Sequence, residues 1–343
     1  VERSRGLGDV YKRQADAEQQ LDLISRRTTG STQQDATTTV ESILDQVRND
    51  GDEAVMALTE QFDGFRPEPL QVSPTELHQA WDQTPTNLRD ALELAHRRIQ
   101  DFHQRQKPQD LDVKGVHGEQ LGRRWRPVQA AGLYIPGGRA SYPSTVLMNA
   151  VPAKAAGVGR VVMVTPAGPD GTVNRTVLAA AHLAGVQEVY RVGGAQAIAA
   201  LAFGTQSIPR VDVISGPGNL YVTLAKKLVY GQVGIDSLAG PSEVLVIADA
   251  SASVTQVASD LLAQAEHDPL AAAILLTTSQ GLADALPAEL ERQLAGHPRE
   301  QICRQSLEAW GLVVVCDSLE ECACLSDRFA PEHLELLLSL IHI

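Results

Sequence analysis

The chain has 343 residues, too many for one small domain, and its 43% hydrophobic content can fill sizeable cores. Its formal net charge of −13 argues against a surface that binds nucleic acid or anionic membranes. No apolar run approaches the ~20 residues of a membrane span, and the four cysteines form no CxxC pair. We therefore expect a cytoplasmic protein (stromal if the source is a plant) without nucleic-acid or membrane partners.

The two ends of the chain are related through their coding DNA. Residues 9–14 read DVYKRQ and residues 338–343 read LSLIHI. One back-translation of the first segment, read as its reverse complement, encodes the second. We therefore expect residues 1–14 and 338–343 to be scars of a sequencing adapter that pack poorly, with the natural protein continuing beyond Leu337. The Gly6-Leu7-Gly8 stretch is then not a phosphate loop.

Between these ends, the N-terminal third of the chain is predicted to be helical. Residues 15–35 are polar and are interpreted as a frayed remnant of an N-terminal arm. Apolar residues at helical spacing predict two helices between Ala36 and Phe62, separated by a turn at Gly51. Ser-Pro and Thr-Pro pairs begin two more helices, and residues 111–127 are predicted to form a short hairpin.

From Ala131 onward, short apolar strands alternate with helices at a spacing typical of parallel sheets with crossover helices. Clusters of glycine and proline near residues 130 and 240 indicate domain boundaries. We expect an α/β protein with two Rossmann-like parallel-sheet domains, the second inserted in the first. In this prediction the first domain is 36–130 plus 241–337, and the inserted domain is 131–240.

Four glycine-rich turns lie beside predicted strands: IPGGR (135–139), VGGAQA (192–197), GPGN (216–219) and AGPSE (239–243). Glycine at the carboxyl ends of strands lets backbone N–H groups approach a phosphate. Each turn alone is equally consistent with a tight strand-to-helix connection. Together, with Tyr134, Gln196, Asn219 and Ser242 projecting from them, they favour a nucleotide or polyol site.

Two further pairs of residues suggest chemistry. Gln264 and His267 lie three apart at the end of a predicted helix, where they could bind a metal, although a capping or surface histidine explains His267 equally well. Glu332 and His333 follow Pro331 and could form a general-base pair. The alternative is a surface Glu-His dipeptide.

Six long blocks closely resemble the histidinol dehydrogenase family, in the family's order and over about residues 35–337. They are GLYIPGGRASYPSTVLMNAVPAKAAGV (132–158), VGGAQAIAALAFGT (192–205), ISGPGNLYVTLAK (214–226), DSLAGPSEVLVIAD (236–249), ASDLLAQAEHDP (258–269) and FAPEHLEL (329–336). The resemblance implies oxidation of L-histidinol to L-histidine through the aldehyde, the last step of histidine biosynthesis. It also implies two NAD molecules per turnover, a bound zinc ion and an intertwined homodimer.

Residue by residue, the resemblance implies that Tyr134, Gln196 and Asn219 contact NAD. It implies that Ser242 contacts the substrate, and that Gln264 and His267 bind zinc beside it. Glu332 and His333 match the acid–base pair. In that scheme His333, which borders the substrate, takes the alcohol proton, and Glu332 activates water on the aldehyde.

The chain departs from the family pattern at its C-terminus. The family's third zinc ligand, its substrate-contacting histidine and glutamate, and a zinc ligand from the partner subunit all lie beyond the PEH motif. We therefore expect the chain as written to be inactive alone. Two other interpretations compete: a non-catalytic α/β binding protein that retains the fold, and a zinc-dependent hydrolase with His267 as ligand and Glu332 as base.

Overall fold

The computed structural model describes residues 10–11, 14–27, 31–137, 142–238 and 240–339. The helices of these residues are α1 (Gln14–Ser25), α2 (Ser31–Asp50), α3 (Asp52–Asp63), α4 (Pro74–Asp82), α5 (Thr86–Arg105), α6 (Pro143–Ala156), α7 (Arg175–Leu183), α8 (Gly194–Phe203), α9 (Leu220–Val229), α10 (Val254–Ala265), α11 (Gln280–Leu294), α12 (Glu300–Trp310) and α13 (Leu319–Phe329). The strands are β1 (Val10–Tyr11), β2 (Leu111–Lys114), β3 (Gln120–Arg123), β4 (Ala130–Tyr134), β5 (Arg160–Thr165), β6 (Glu188–Arg191), β7 (Val213–Ser215), β8 (Gly234–Ile235), β9 (Glu243–Ala248), β10 (Ala272–Thr277), β11 (Gly311–Val315) and β12 (His333–Leu337). The protein is therefore an α/β protein, as the sequence predicts.

The chain folds into two compact units. The central unit is Gln34–Ala239, and the flanking unit combines residues up to Gln33 with those from Gly240 onward. Each unit contains one five-stranded sheet in which every strand pair is parallel. Parallel sheets must be covered on both faces, and the helices of each unit supply that cover.

The sheet of the central unit has the strand order β6-β5-β4-β7-β8. Alternate residues of β4 enter two different cores, since side chains along a strand point to opposite faces. Ala130 and Tyr134 pack in the core that contains apolar residues of α2, α3, α8 and α9. Ala131 and Leu133 pack in the core that contains apolar residues of α4, α5, α6 and α7. The β2–β3 hairpin is antiparallel and lies outside this sheet.

The sheet of the flanking unit has the strand order β1-β11-β10-β9-β12. One face, with Val244 and Val246 of β9, packs against α10, α11 and α12. The other face, with Leu245 and Ile247, packs against α1 and α13. This unit is also three layers, with the sheet between two layers of helices.

The placement of residues 36–130 differs from the sequence prediction. We assigned them to the domain of 241–337, whereas α2 to α5 pack on the sheet formed by 130–235. The physical reason is burial: a five-stranded parallel sheet exposes two apolar faces, and the crossover helices α6 to α9 cover only part of them. The amphipathic faces of α2 to α5 cover the rest.

The interpretation of residues 15–35 as a frayed remnant is wrong where the structure describes them. Helix α1 buries Ala17, Leu21 and Ile24 in the core beside α13. At the ends, β1 pairs with β11, and Leu338 packs partly against the same core, so the expectation of poor packing fails at these residues. Residues 1–9, 12–13 and 340–343, including Gly6-Leu7-Gly8, lie outside the described residues.

None of the helices in the described ranges combines the length and the apolar composition that crossing a bilayer requires.

Candidate active site

The central unit contains a cavity of about 980 Å³ at the carboxyl ends of its strands. Its walls come from the turns after β4, β5 and β7, from the start of α8 after β6, and from α2 and α3. Tyr134, Gln196 and Asn219, which the sequence takes from three separate glycine-rich turns, all line it. The fold therefore brings the three predicted dinucleotide-binding residues together.

Tyr134 is the last residue of β4 and is buried. Its hydroxyl oxygen accepts a hydrogen bond from the backbone N–H of Gly194, at 3.2 Å. Burial raises the pKa of Tyr134 to about 12. The phenol is therefore neutral at physiological pH, and its proton remains available for a hydrogen bond.

Gln196 lies in the first turn of α8 and is almost fully buried. Its Oε1 atom is buried and has no hydrogen-bond partner among the residues that the structure describes. Gly194 has φ +65°, a backbone conformation that strains other residues, and a Cβ there would lie 2.5 Å from that oxygen. The start of α8 thus combines backbone N–H groups, which suit an anion, with Gln196 Oε1, which can accept a hydrogen bond from a ligand.

Asn219 is the N-cap of α9, where its Oδ1 accepts the backbone N–H of Val222 at 3.1 Å. The cap leaves the Nδ2 amino group to donate elsewhere. The turn before it is fixed by Gly216, whose N–H donates to Asp236 Oδ2 at 2.8 Å and whose carbonyl accepts from Lys226 Nζ at 3.1 Å.

Lys226 and Asp236 also form an ion pair, and the Lys226 side chain is only 4% exposed. Burial alone would raise the pKa of Asp236. Its bonds from Lys226 and from the N–H groups of Gly216 and Ser237 outweigh burial and lower that pKa below the ordinary value. The sequence prediction did not include this pair, although it anchors the GPGN turn.

In the flanking unit the candidate residues lie at the opposite edge of the sheet, where strands begin. Ser242 directly precedes β9, and Glu332 directly precedes His333, the first residue of β12. Gln264 and His267 lie at the end of α10, which leads into β10. Since β9 pairs with both β10 and β12 in parallel, the amino ends of these three strands share one edge. Ser242 of the AGPSE turn therefore lies where β9 begins, whereas the VGGAQA and GPGN turns follow β6 and β7.

The face of the sheet can also be assigned. Leu337 packs against the core that contains α10. Because strand residues two apart share a face, His333 and Glu335 project to the face on which α10 lies. Glu335 contacts Asp260, one turn before Gln264 on α10. Burial and the adjacent Asp260 carboxyl group together raise the pKa of Glu335. This contact, which the sequence prediction missed, ties β12 to the helix that carries Gln264.

The Glu332–His333 pair is open. His333 Nε2 lies 3.9 Å from Glu332 Oε1, beyond hydrogen-bond distance, and the two side chains are 58% and 53% exposed. Pro331 precedes the pair outside any regular strand, as the sequence predicts. In this arrangement both groups are accessible to a substrate, and neither is held by the other.

Gln264 and His267 do not by themselves make a zinc site. Gln264 is buried within α10, whereas His267 is exposed beyond the end of the helix, its N–H bonded to the Gln264 carbonyl at 3.1 Å. Zinc takes three or four protein ligands. Within the described ranges no group of three or more His, Cys, Asp or Glu side chains could hold a metal ion. Gln264 and His267 therefore fit part of a zinc site.

Comparisons with known proteins match this arrangement to one family. A model of the histidinol dehydrogenase family matches residues 26–342. The histidinol dehydrogenase of Prochlorococcus marinus strain MIT 9313 is 72% identical over 326 residues, which are 95% of this chain and 74% of the relative. That of Parasynechococcus marenigrum strain WH8102 is 68% identical over 321 residues, 94% of this chain and 74% of the relative.

The chain belongs to the histidinol dehydrogenase family. It is therefore an oxidoreductase of histidine biosynthesis, and a binding protein or hydrolase of the same fold is not favoured. The fold agrees: the crystal structure of histidinol dehydrogenase from Elizabethkingia anophelis superposes with a TM-score of 0.87 at 36% identity. That match covers 98% of this chain and 76% of that chain.

Arg27, which the sequence prediction left within the N-terminal remnant, is a buried charged residue next to the candidate residues of the flanking unit. Its side chain is 1% exposed and pairs with Glu243 at 2.9 Å. The guanidinium also donates to the carbonyls of Pro241 at 3.0 Å and Leu270 at 2.8 Å. These acceptors flank Ser242 and follow His267, so Arg27 fixes the two loops that carry candidate substrate and metal residues. A lone arginine in a polar segment gives no local signal of such a role.

Proposed function

We propose that this protein oxidises L-histidinol to L-histidine through the aldehyde, using two NAD molecules and zinc, as a cytoplasmic homodimer. The observation that carries the proposal is the cavity in the central unit. Tyr134, Gln196 and Asn219 line it at the carboxyl edge, next to β4, where the strand order reverses. Nucleotides bind at such reversal points in open parallel sheets. Buried acceptors and the start of α8 give the cavity groups that fit a dinucleotide.

NAD, when bound, supplies the acceptor for the hydride that leaves the carbinol carbon of histidinol, and a second NAD takes the hydride of the hydrated aldehyde. His333 accepts the proton of the alcohol, and Glu332 accepts a proton from the water that adds to the aldehyde. Because both side chains are more than half exposed, a substrate can contact either of them. Ser242 and Gln264 orient the histidinol head group, and Gln264 and His267 would hold zinc together with ligands outside the described residues.

The proposed acid–base roles are tested with His333→Asn. The amide keeps the size of the imidazole but cannot take a proton, so NADH formation from histidinol should slow by about 10²–10⁴-fold. The assay uses this chain extended at its C-terminus with the corresponding segment of the Prochlorococcus relative, supplied with zinc. Bound zinc is measured alongside and should be unchanged. The matched control is His182→Asn, which removes an imidazole from the other unit.

Wild-type rates for His333→Asn would show that another group takes the alcohol proton. If the extended, zinc-loaded protein bound NAD but did not oxidise histidinol, the proposed activity would be wrong and the protein would be a dinucleotide-binding protein of another activity.

A further inference from the structure

Asp63 is an acidic side chain in the cavity of the central unit that the sequence prediction assigned no role. It is the last residue of α3, outside the strand–helix–strand part of the unit that supplies Tyr134 and Gln196. Its Oδ2 atom is buried and lacks a hydrogen-bond partner among the described residues. Rotation of the carboxylate about its last torsion can present either oxygen to the cavity.

Two electrostatic effects locate this carboxylate. Burial raises the pKa of Asp63, and its negative charge adds to the rise in the pKa of Tyr134. Asp63 and Tyr134 line the same cavity, the one proposed to hold the dinucleotide. A buried carboxylate oxygen without a donor is costly, and native proteins keep few such groups.

The chemistry of the missing donor is restricted. A carboxylate only accepts hydrogen bonds, and the phosphates of a dinucleotide are anionic acceptors, so they cannot satisfy Asp63. A ribose diol presents two adjacent hydroxyl donors that match two carboxylate oxygens. The start of α8, which suits the pyrophosphate, lines the same cavity, and ribose is bonded to that pyrophosphate through one methylene group.

We propose that Asp63 accepts the hydroxyl groups of the adenosine ribose and thereby selects NAD over NADP, an inference that rests on the proposed function. The adenosine half is the one placed here because, in open parallel sheets that bind dinucleotides, an acidic side chain near the pyrophosphate accepts the hydroxyl groups of the adenosine ribose. NADP carries a phosphate on the 2′-hydroxyl of this ribose. That phosphate removes a donor and places an anion against the carboxylate.

The test is calorimetric binding of NAD and NADP to the full chain. Asp63→Asn keeps the size of the side chain but removes its charge and one of its acceptor oxygens. It should weaken NAD binding roughly tenfold or more, as expected for a hydrogen bond to a charged group, and it should narrow the preference over NADP. Asp63→Ser provides a second variant if the first is poorly folded.

The matched control is Glu60→Gln, one turn earlier on α3. It removes the same charge from an exposed carboxylate that pairs with Arg66. This variant should keep the wild-type ratio of NAD to NADP affinity, so that general electrostatic attraction is separated from direct contact.

Three outcomes count against these ideas in different ways. Unchanged NAD affinity in both Asp63 variants overturns the contact. Equal losses of NAD and NADP affinity overturn the assignment to the 2′-hydroxyl. Absence of NAD binding by the wild-type chain rejects the proposed function, and this inference with it.

Discussion

The two parallel sheets share a strand arrangement but place their candidate residues at opposite edges. In the central unit β4 lies between β5 and β7. In the flanking unit β9 lies in the same way between β10, which follows it in the chain, and β12. In the central unit the candidates follow strands, at the edge where helices begin. In the flanking unit they precede strands, at the edge where α10 ends. Helix N-termini favour anions and helix C-termini favour cations. The first edge therefore suits a dinucleotide, and the second suits an amine or a metal ion.

The edges also differ in enclosure. The cavity of the central unit is lined by residues of that unit and holds two buried oxygens that have no hydrogen-bond partner among the described residues. The proposed acid–base pair of the flanking unit is more than half exposed, and no group of three or more metal-binding side chains lies within the described ranges. The proposed dinucleotide site is thus the more enclosed of the two.

The largest expected effect on stability is in the flanking unit. Arg27→Ala leaves Glu243 and two loop carbonyls without their buried partner, so unfolding should become easier by about 3–5 kcal/mol. Urea unfolding is followed by the fluorescence of Trp310, which packs in this unit, in a background with Trp81→Phe and Trp125→Phe. Arg328→Ala is the control: its side chain and those of its partners Glu18 and Asp22 are only half-buried, so its effect should stay below about 1 kcal/mol.

A smaller effect is expected for Lys226→Met in the central unit. Loss of the ion pair should cost about 2 kcal/mol, below the 3–5 kcal/mol of a fully buried pair, because a third of Asp236 is exposed. NAD affinity should fall as well, since the GPGN turn loses its anchor. Hydrogen exchange measured by mass spectrometry should show faster exchange around residues 216–219, and unchanged exchange in α10 provides the internal control.

The same variant should alter the dependence of stability on pH. The pKa of Asp236 is lowered in the folded protein, so its contribution is complete above its ordinary value of 3.8 and is lost as the pH falls further. In Lys226→Met this part of the acid-induced loss should shrink. Equal slopes of unfolding free energy against pH between 3 and 5 in both proteins would contradict the assignment.

The smallest effect has the opposite sign. Since the pKa of Asp63 is raised, its stabilising contribution is present at low pH and is lost as the pH rises through the folded value. Asp63→Asn should therefore make the unliganded protein more stable at pH 7, by about 1 kcal/mol or less, while NAD binding weakens. Thermal unfolding at pH 7 and at pH 3.5 measures this, and the gain should be smaller at the lower pH. A variant less stable than wild type at pH 7 would assign Asp63 a structural role.

Much of the fold follows from local patterns. The strands at 160–165, 243–248 and 333–337 form within the predicted alternation of strands and helices, because each is a short apolar run between clear turns. Helix α4 begins at the Ser-Pro pair, as predicted, and Ser73 also forms a capping box with Glu76. The sequence analysis did not predict helices α12 and α13. It also assigned α2 to α5 to the wrong sheet, because the sheet that buries an amphipathic helix is determined by residues far away in sequence.

The site divides in the same way. Residues on glycine-rich turns next to strands were found because both the turn and the strand are visible locally. Arg27, Asp63 and Asp260 were missed, because the importance of each depends on the burial of a single charged group by distant segments. The polar composition of the N-terminal segment gives no sign that the side chain of Arg27 is almost fully buried.

The order of the two units along the chain affects synthesis. The central unit has all of its residues once Ala239 has left the ribosome. The apolar face of α1, with Leu21 and Ile24, packs beside residues such as Leu312 and Leu325, which are made almost 300 residues later. At typical elongation rates this face waits about 15–60 s for its partners. During that interval the apolar face of α1 is exposed on the nascent chain, and it is the part of this unit that a chaperone would bind.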